Sequence, residues 1–196
     1  MMAQHEIWGS PHENEVWADL DDYLKTIWRR PDGSTIRIAA AAVDEGDGET
    51  MDKVIVFCRA RLARRVFTVK GATGQRAVIA TSKTKGGRLF IAGVDGVKSQ
   101  TMARLTGQTA SIRFSDTLEP RFYEEITSER LGVKYSRGAP VRQWERIVGH
   151  RAESLDCIVY GWAVRNLLIG VKPAKIEQAQ PSQRSAVKSK WLSQSN

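Results

Sequence analysis

Apolar positions along this chain alternate between extended and helical spacing, and one stretch organises the rest. Ile36-Arg37-Ile38-Ala39-Ala40-Ala41-Ala42-Val43 reads as a strand that stops on Asp44. Glu45-Gly46-Asp47-Gly48 follows as a turn, then a helix from Met51 to about Leu62. A second strand, Val66-Phe67-Thr68-Val69, stops on Lys70-Gly71. Strand, helix and strand in this order predict a right-handed parallel crossover, whose reactive residues gather at the carboxyl ends of the strands. Asp44 and Lys70 are therefore expected on the same edge of one sheet.

Upstream, Ala3 to Gly9 reads as a short strand, and Ser10-Pro11-His12-Glu13 has the form of a capping box that opens a helix. Trp17, Leu20, Leu24, Ile27 and Trp28 recur at helical spacing, which predicts a face packed on the sheet. Asp19, Asp21 and Asp22 read as the wet face of that helix, and Arg29 to Ser34 ends it with proline and glycine punctuation. Downstream, the pattern predicts strands at Arg88 to Gly93 and Ser111 to Phe114, helices at Val97 to Leu105 and Glu119 to Leu131, and an extended Val141 to Val148. A strong helix from Arg151 to Ile169 carries Leu155, Ile158, Val159, Trp162 and Asn166 along one stripe. Between Gly71 and Gly87 glycines alternate with Arg76, Lys83 and Lys85, the signature of a basic loop or hairpin. The fold class is α/β, a mixed sheet flanked by helices, with residues 1–170 as one domain and 171–196 as a basic, polar tail read as disordered and able to dock on a partner.

Composition adds a direction. With 196 residues, of which 41% are hydrophobic and 27% charged, the chain can bury a real core. A net charge of +8 and a pI near 9.7 favour an anionic partner, nucleic acid ahead of an anionic membrane surface. Cys58 and Cys157 stand far apart, which predicts neither a disulfide framework nor a zinc site and fits a reduced, cytoplasmic setting. His5, His12 and His150 are scattered. No apolar run has the length of a membrane span. Neither a phosphate-cradling ATPase loop nor a serine-hydrolase elbow occurs.

Two acids carry the candidate chemistry. Asp44 closes an apolar strand, where a carboxylate is costly unless something positive meets it. Asp156 lies in the first turns of the last helix, with Glu153 one turn earlier on the same side. Hard oxygen ligands at one edge suit Mg²⁺ or Mn²⁺, and two such ions can clamp the attacking water and the leaving oxygen of a phosphodiester. The plainer reading makes residues 44–48 a turn with Asp47 as a cap, and Asp156 a helix cap or the partner of an arginine. Lys70 is either a phosphate holder or an ordinary exposed lysine. Asp95, after another strand, reads as a helix cap.

Val43-Asp44-Glu45-Gly46, the helix with Val54, Phe57, Cys58 and Arg59, Val69-Lys70-Gly71-Ala72, Gly93 to Lys98, Ile112-Arg113-Phe114 and Glu153 to Cys157 occur in a recognisable order. From about Ala3 to Leu168 the chain resembles the C-terminal nuclease domain of the large terminase subunit of lambda-like tailed phages. That resemblance implies an RNase H-like fold and a Mg²⁺- or Mn²⁺-dependent endonuclease, with two ions in the intact site, that cuts concatemeric double-stranded DNA during genome packaging. It implies an ATPase motor domain, a small terminase subunit and a portal as partners, and host cytoplasm as the place. Residue by residue, Asp44 and Asp156 match catalytic, metal-binding acids, and Lys70 matches a basic position near the site. Lys70, Arg76, Lys83 and Lys85 are the expected DNA contacts. The family places a further catalytic aspartate on a first strand, ahead of a second, and this chain begins where the third is expected. It therefore reads as N-terminally truncated. The alternative is an inactive prophage remnant that only binds DNA or portal.

Overall fold

The computed structural model describes residues 3–45, 48–82, 89–108, 112–136 and 138–169. Lys83, Lys85, Asp47 and the 171–196 tail lie outside the described residues.

The expected crossover is present. Strand β3 (Ala41–Asp44) leads through helix α2 (Met51–Arg59) into strand β4 (Val66–Ala72), and the two strands pair in parallel with Asp44 opposite Val69. Strand β6 (Leu89–Gly93) pairs in parallel on the other side of β4, and β5 (Ile79–Thr81) runs antiparallel along β6. The order β3-β4-β6-β5 makes a mixed four-stranded sheet. Ile36 to Val43 is not one strand, however. Its first residues form β2 (Thr35–Arg37), which pairs antiparallel with β1 (Ile27–Arg29) as a separate hairpin. A continuous apolar run says that residues are buried but not which partner each end takes, and the turn at Asp32-Gly33 gives the first end to β1. There Gly33 adopts φ of +81°, and the Ser34 N–H donates to the Asp32 carboxylate at 2.8 Å.

That hairpin shortens the first helix. Helix α1 spans Asn14–Leu24, so Ile27 and Trp28 belong to β1. The capping box does not form. Ser10 instead closes a turn, its carbonyl accepting from Glu13 N–H at 2.9 Å and its Oγ from His12 N–H at 3.3 Å. Residues 3–9 are not a strand, and residues 112–115 are irregular. The helix expected over 119–131 is α4 (Pro120–Ile126) alone. Glu129 opens β7 (Glu129–Ser136), which pairs with β8 (Ala139–Arg146) in a second hairpin.

Strand periodicity assigns the two faces of the main sheet. Ala41, Val43 and Val66 pack with Val54, Phe57 and Cys58 of α2, and beyond them with Trp17, Leu20 and Leu24 of α1. Ala42, Phe67 and Val69 face the other way, onto Ala163 and Val164 of the last helix, α5 (Glu153–Arg165). Helix α3 (Val94–Leu105) lays Val94 and Val97 on Leu155 and Val159, while Phe122 and Ile126 of α4 meet Ile158. Apolar side chains around most of its girth let α5 serve three partners at once. Its N-terminus is capped from outside: the buried Glu125 of α4 accepts from the Ser154 N–H at 3.0 Å and from the Ser154 hydroxyl. A carboxylate there satisfies free N–H groups and complements the helix dipole.

Candidate active site

Asp44 ends β3 on the sheet face turned to α5, as its alternation with Val43 requires. Helix α5 answers with two side chains one turn apart, Asp156 and Tyr160. The Tyr160 hydroxyl lies against Gly71 of β4, within the influence of the Asp44 carboxylate. Gly71 is there for space, since a Cβ at this position would stand 2.7 Å from the Tyr160 hydroxyl oxygen. Burial, together with the negative charge of Asp44 and Asp156, pushes the Tyr160 phenol well above its ordinary range.

Asp156 is held in a charged lattice. Lys98 of α3 and Arg146 of β8 each stand 3.8 Å from its carboxylate, and Glu129 of β7 grips Lys98 at 2.7 Å. The side chains of Lys98 and Glu129 are only 10% and 7% exposed, so each charge depends on the other. Burial raises the Asp156 carboxyl above its ordinary value; Lys98 and Arg146 pull it back down, while Glu129 and Asp44 add to the rise. The fold thus brings Asp44 and Asp156 into electrostatic reach of each other from distant parts of the chain.

The other expected site residues part company with this pair. Lys70 shares the end of the sheet with Asp44 but alternates onto the opposite face, where its ammonium pairs with the buried Glu45. Glu153 does not join Asp156. It takes Arg151 at 3.1 Å and lines a cleft under the N-terminal segment with Gln4, Ser154 and Cys157. Arg76 is exposed, its Nε donating to the Thr73 carbonyl at 2.9 Å. Asp95 is not a cap. It lies inside the first turn of α3, and its carboxylate accepts from the Gly74 N–H at 2.7 Å. Lys98, Glu129, Arg146 and Tyr160 are the residues that sequence reasoning missed. Tyr160 had a signal, the four-residue spacing from Asp156. The two charges that meet in Lys98 and Glu129 had none.

A hard divalent cation can keep several waters and needs only one or two protein carboxylates. Asp44 and Asp156 would supply those carboxylates, and a cation between them would relieve the part of the Asp156 rise that the Asp44 charge contributes. Among the described residues no group of three His, Cys, Asp or Glu side chains gathers to complete a shell. Water and substrate oxygens would have to complete it.

Two acids thus stand toward one end of the mixed sheet, on a chain of net charge +8. The chain matches, over residues 1–176, the family of the terminase large subunit gpA endonuclease domain, and it belongs to that family. The large terminase subunit of Enterobacteria phage P21 is 30% identical to it over 178 residues, a match that covers 80% of this chain. The same match covers 26% of the phage protein, so the chain spans about a quarter of that relative's length. No solved structure matches the chain. Among the described residues no helix is long and apolar enough to cross a membrane.

Proposed function

We propose that this domain is the divalent-metal-dependent endonuclease of a phage DNA-packaging terminase, RNase H-like in fold. It would cut concatemeric double-stranded DNA in the host cytoplasm, beside an ATPase motor domain, a small terminase subunit and a portal. The observation that supports the reading is that Asp44, at the end of β3, and Asp156, in the first turns of the helix α5 packed on that sheet, stand near enough for their charges to interact. These two would hold Mg²⁺ or Mn²⁺. Bound there, the metal would supply Lewis-acid polarisation of the phosphodiester and a more acidic water. Tyr160 orients the Asp44 carboxylate, and Lys98 and Arg146 fix Asp156 while adding positive charge where a phosphate would lie. Arg76 and the basic stretch with Lys83 and Lys85 would track the DNA backbone. Lys70 would reach it only from the far face of the sheet.

The test is Mn²⁺ titration of the whole chain, followed by electron paramagnetic resonance, beside a plasmid-nicking assay. Asp44→Asn and Asp156→Asn should each weaken Mn²⁺ binding by about tenfold or more and abolish metal-dependent nicking. Mn²⁺ affinity unchanged in both variants would remove the reading. A second reading, a DNA-binding module without cleavage, is favoured by Lys98 and Arg146 already standing at Asp156. Salt-sensitive duplex binding with neither nicking nor Mn²⁺ uptake would select it.

A further inference from the structure

The β7–β8 hairpin is joined to the body at one end only. At its root Glu129 holds Lys98, Arg146 reaches Asp156, and the Trp144 indole N–H donates to the Asp95 carbonyl at 3.2 Å. Directly opposed residues of an antiparallel pair share a face. The register Glu129↔Arg146, Leu131↔Trp144, Val133↔Arg142 and Tyr135↔Pro140 therefore continues the root face outward. Along it the apolar side chains become steadily barer, Leu131 at 46%, Val133 at 58% and Tyr135 at 78% exposed. On the opposite face Glu145 lies across Gly132 to reach Lys134 at 3.3 Å, and Val141 is 46% exposed.

We propose that the Leu131, Val133, Tyr135 and Arg142 face of this hairpin is a docking surface for duplex DNA, laid beside the acid pair. The proposal rests on the nuclease reading and adds the surface that holds the substrate. Three observations select DNA as the occupant. The face runs on directly from the residues that touch Asp156, so a duplex presented to the acids lies alongside it. Its charge is complementary: Glu129, the acid on this face, is matched by Lys98, while Arg142 has no ion-pair partner among the described residues. Finally, a two-stranded ribbon has the width that the major groove admits, and eight residues per strand give it about 25 Å of reach. In that groove Arg142 can meet a phosphate or a guanine edge, and Leu131 and Val133 the methyl groups of thymine.

The experiment measures binding of the whole chain to a fluorescent duplex of about 25 base pairs in EDTA, so that no cutting is needed. Tyr135→Ala and Arg142→Ala should each weaken binding by about three- to tenfold, and Arg142→Ala should lower the salt slope by about one. Gln143→Ala, on the opposite face, should stay within about twofold. Thermal melts of all three variants should match the parent, since these side chains touch solvent. Unchanged affinity in the first two variants, equal losses in all three, or no duplex binding by the parent chain overturns the proposal. So does a dimer of the parent chain that Val133→Asp dissolves, which would give the face to a second copy. The nuclease reading stands or falls separately, on Mn²⁺ binding by Asp44→Asn and Asp156→Asn.

Discussion

Asp21 shows how far a single side chain can depart from its place in a pattern. In the run Asp19, Asp21, Asp22 it reads as one more residue of a wet face, yet its side chain is only 13% exposed. Arg61 reaches it at 2.5 Å, Lys25 at 2.7 Å, and Arg64 closes on it as well, tying α1 to the turn after α2. The Arg61 hydrogen bond leads in holding the carboxyl far below the usual carboxylate range, against the opposing effect of burial. A carboxyl with a depressed folded value contributes stability that is complete above its unfolded value near 4 and is lost as the pH falls toward the folded one. Asp21→Asn should therefore cost about 1–3 kcal/mol at pH 7 by urea unfolding. The difference from the parent should shrink as the pH is taken below about 4. Gly71 is the second case. A methyl group there meets the Tyr160 hydroxyl, so Gly71→Ala should cost about 1–3 kcal/mol by overpacking. The cost should be smaller in a Tyr160→Phe background, and a double-mutant cycle reads that coupling.

Elements kept their type where a local pattern was long and departed from it where a partner decided. The βαβ unit and the last helix were legible because apolar periodicity marks which residues must leave water. Their limits were not, because Ile27, Trp28 and Ile36 were drawn into a hairpin by pairing across a turn. The same holds for β7. Glu129 and Leu131 continue a helical pattern on paper, but the alternation of Leu131, Val133 and Tyr135 finds its match in β8. Where β7 crosses α3, the Glu129 and Lys98 pair fastens one element to the other. Lys98→Ala would strand a buried carboxylate and should cost about 3–5 kcal/mol by urea unfolding. Lys98→Met combined with Glu129→Leu should recover most of that loss, because neither charge then remains to be solvated.

At the scale of the whole molecule, helices cover both faces of a mixed sheet and an acid pair sits at one end of it. On the proposed nuclease reading, the net charge of +8 would draw a polyanion toward carboxylates that repel it. Such binding is driven by the release of counterions, so log Kd for duplex DNA should rise linearly with log salt. A slope magnitude of about 3 or more, read by fluorescence anisotropy between about 50 and 200 mM salt, would correspond to three or more phosphate contacts. A slope near zero would remove DNA from the account of this surface.

From its residues alone the chain declared a parallel crossover, an apolar last helix, two candidate acids at element ends, and a basic balance. Those are local quantities: periodicity, end positions and charge can be read without knowing what lies opposite. That Asp44 stands exposed at the end of its strand was not legible. The tertiary structure decided which side of the sheet each reactive group took. It turned Lys70 toward Glu45 and Asp44 toward Tyr160. It also chose the company of Asp156, giving it Lys98 and Arg146 instead of Glu153. Alternation along a strand says that neighbours point opposite ways, and only the packing of α2 on one side and α5 on the other says which way is which.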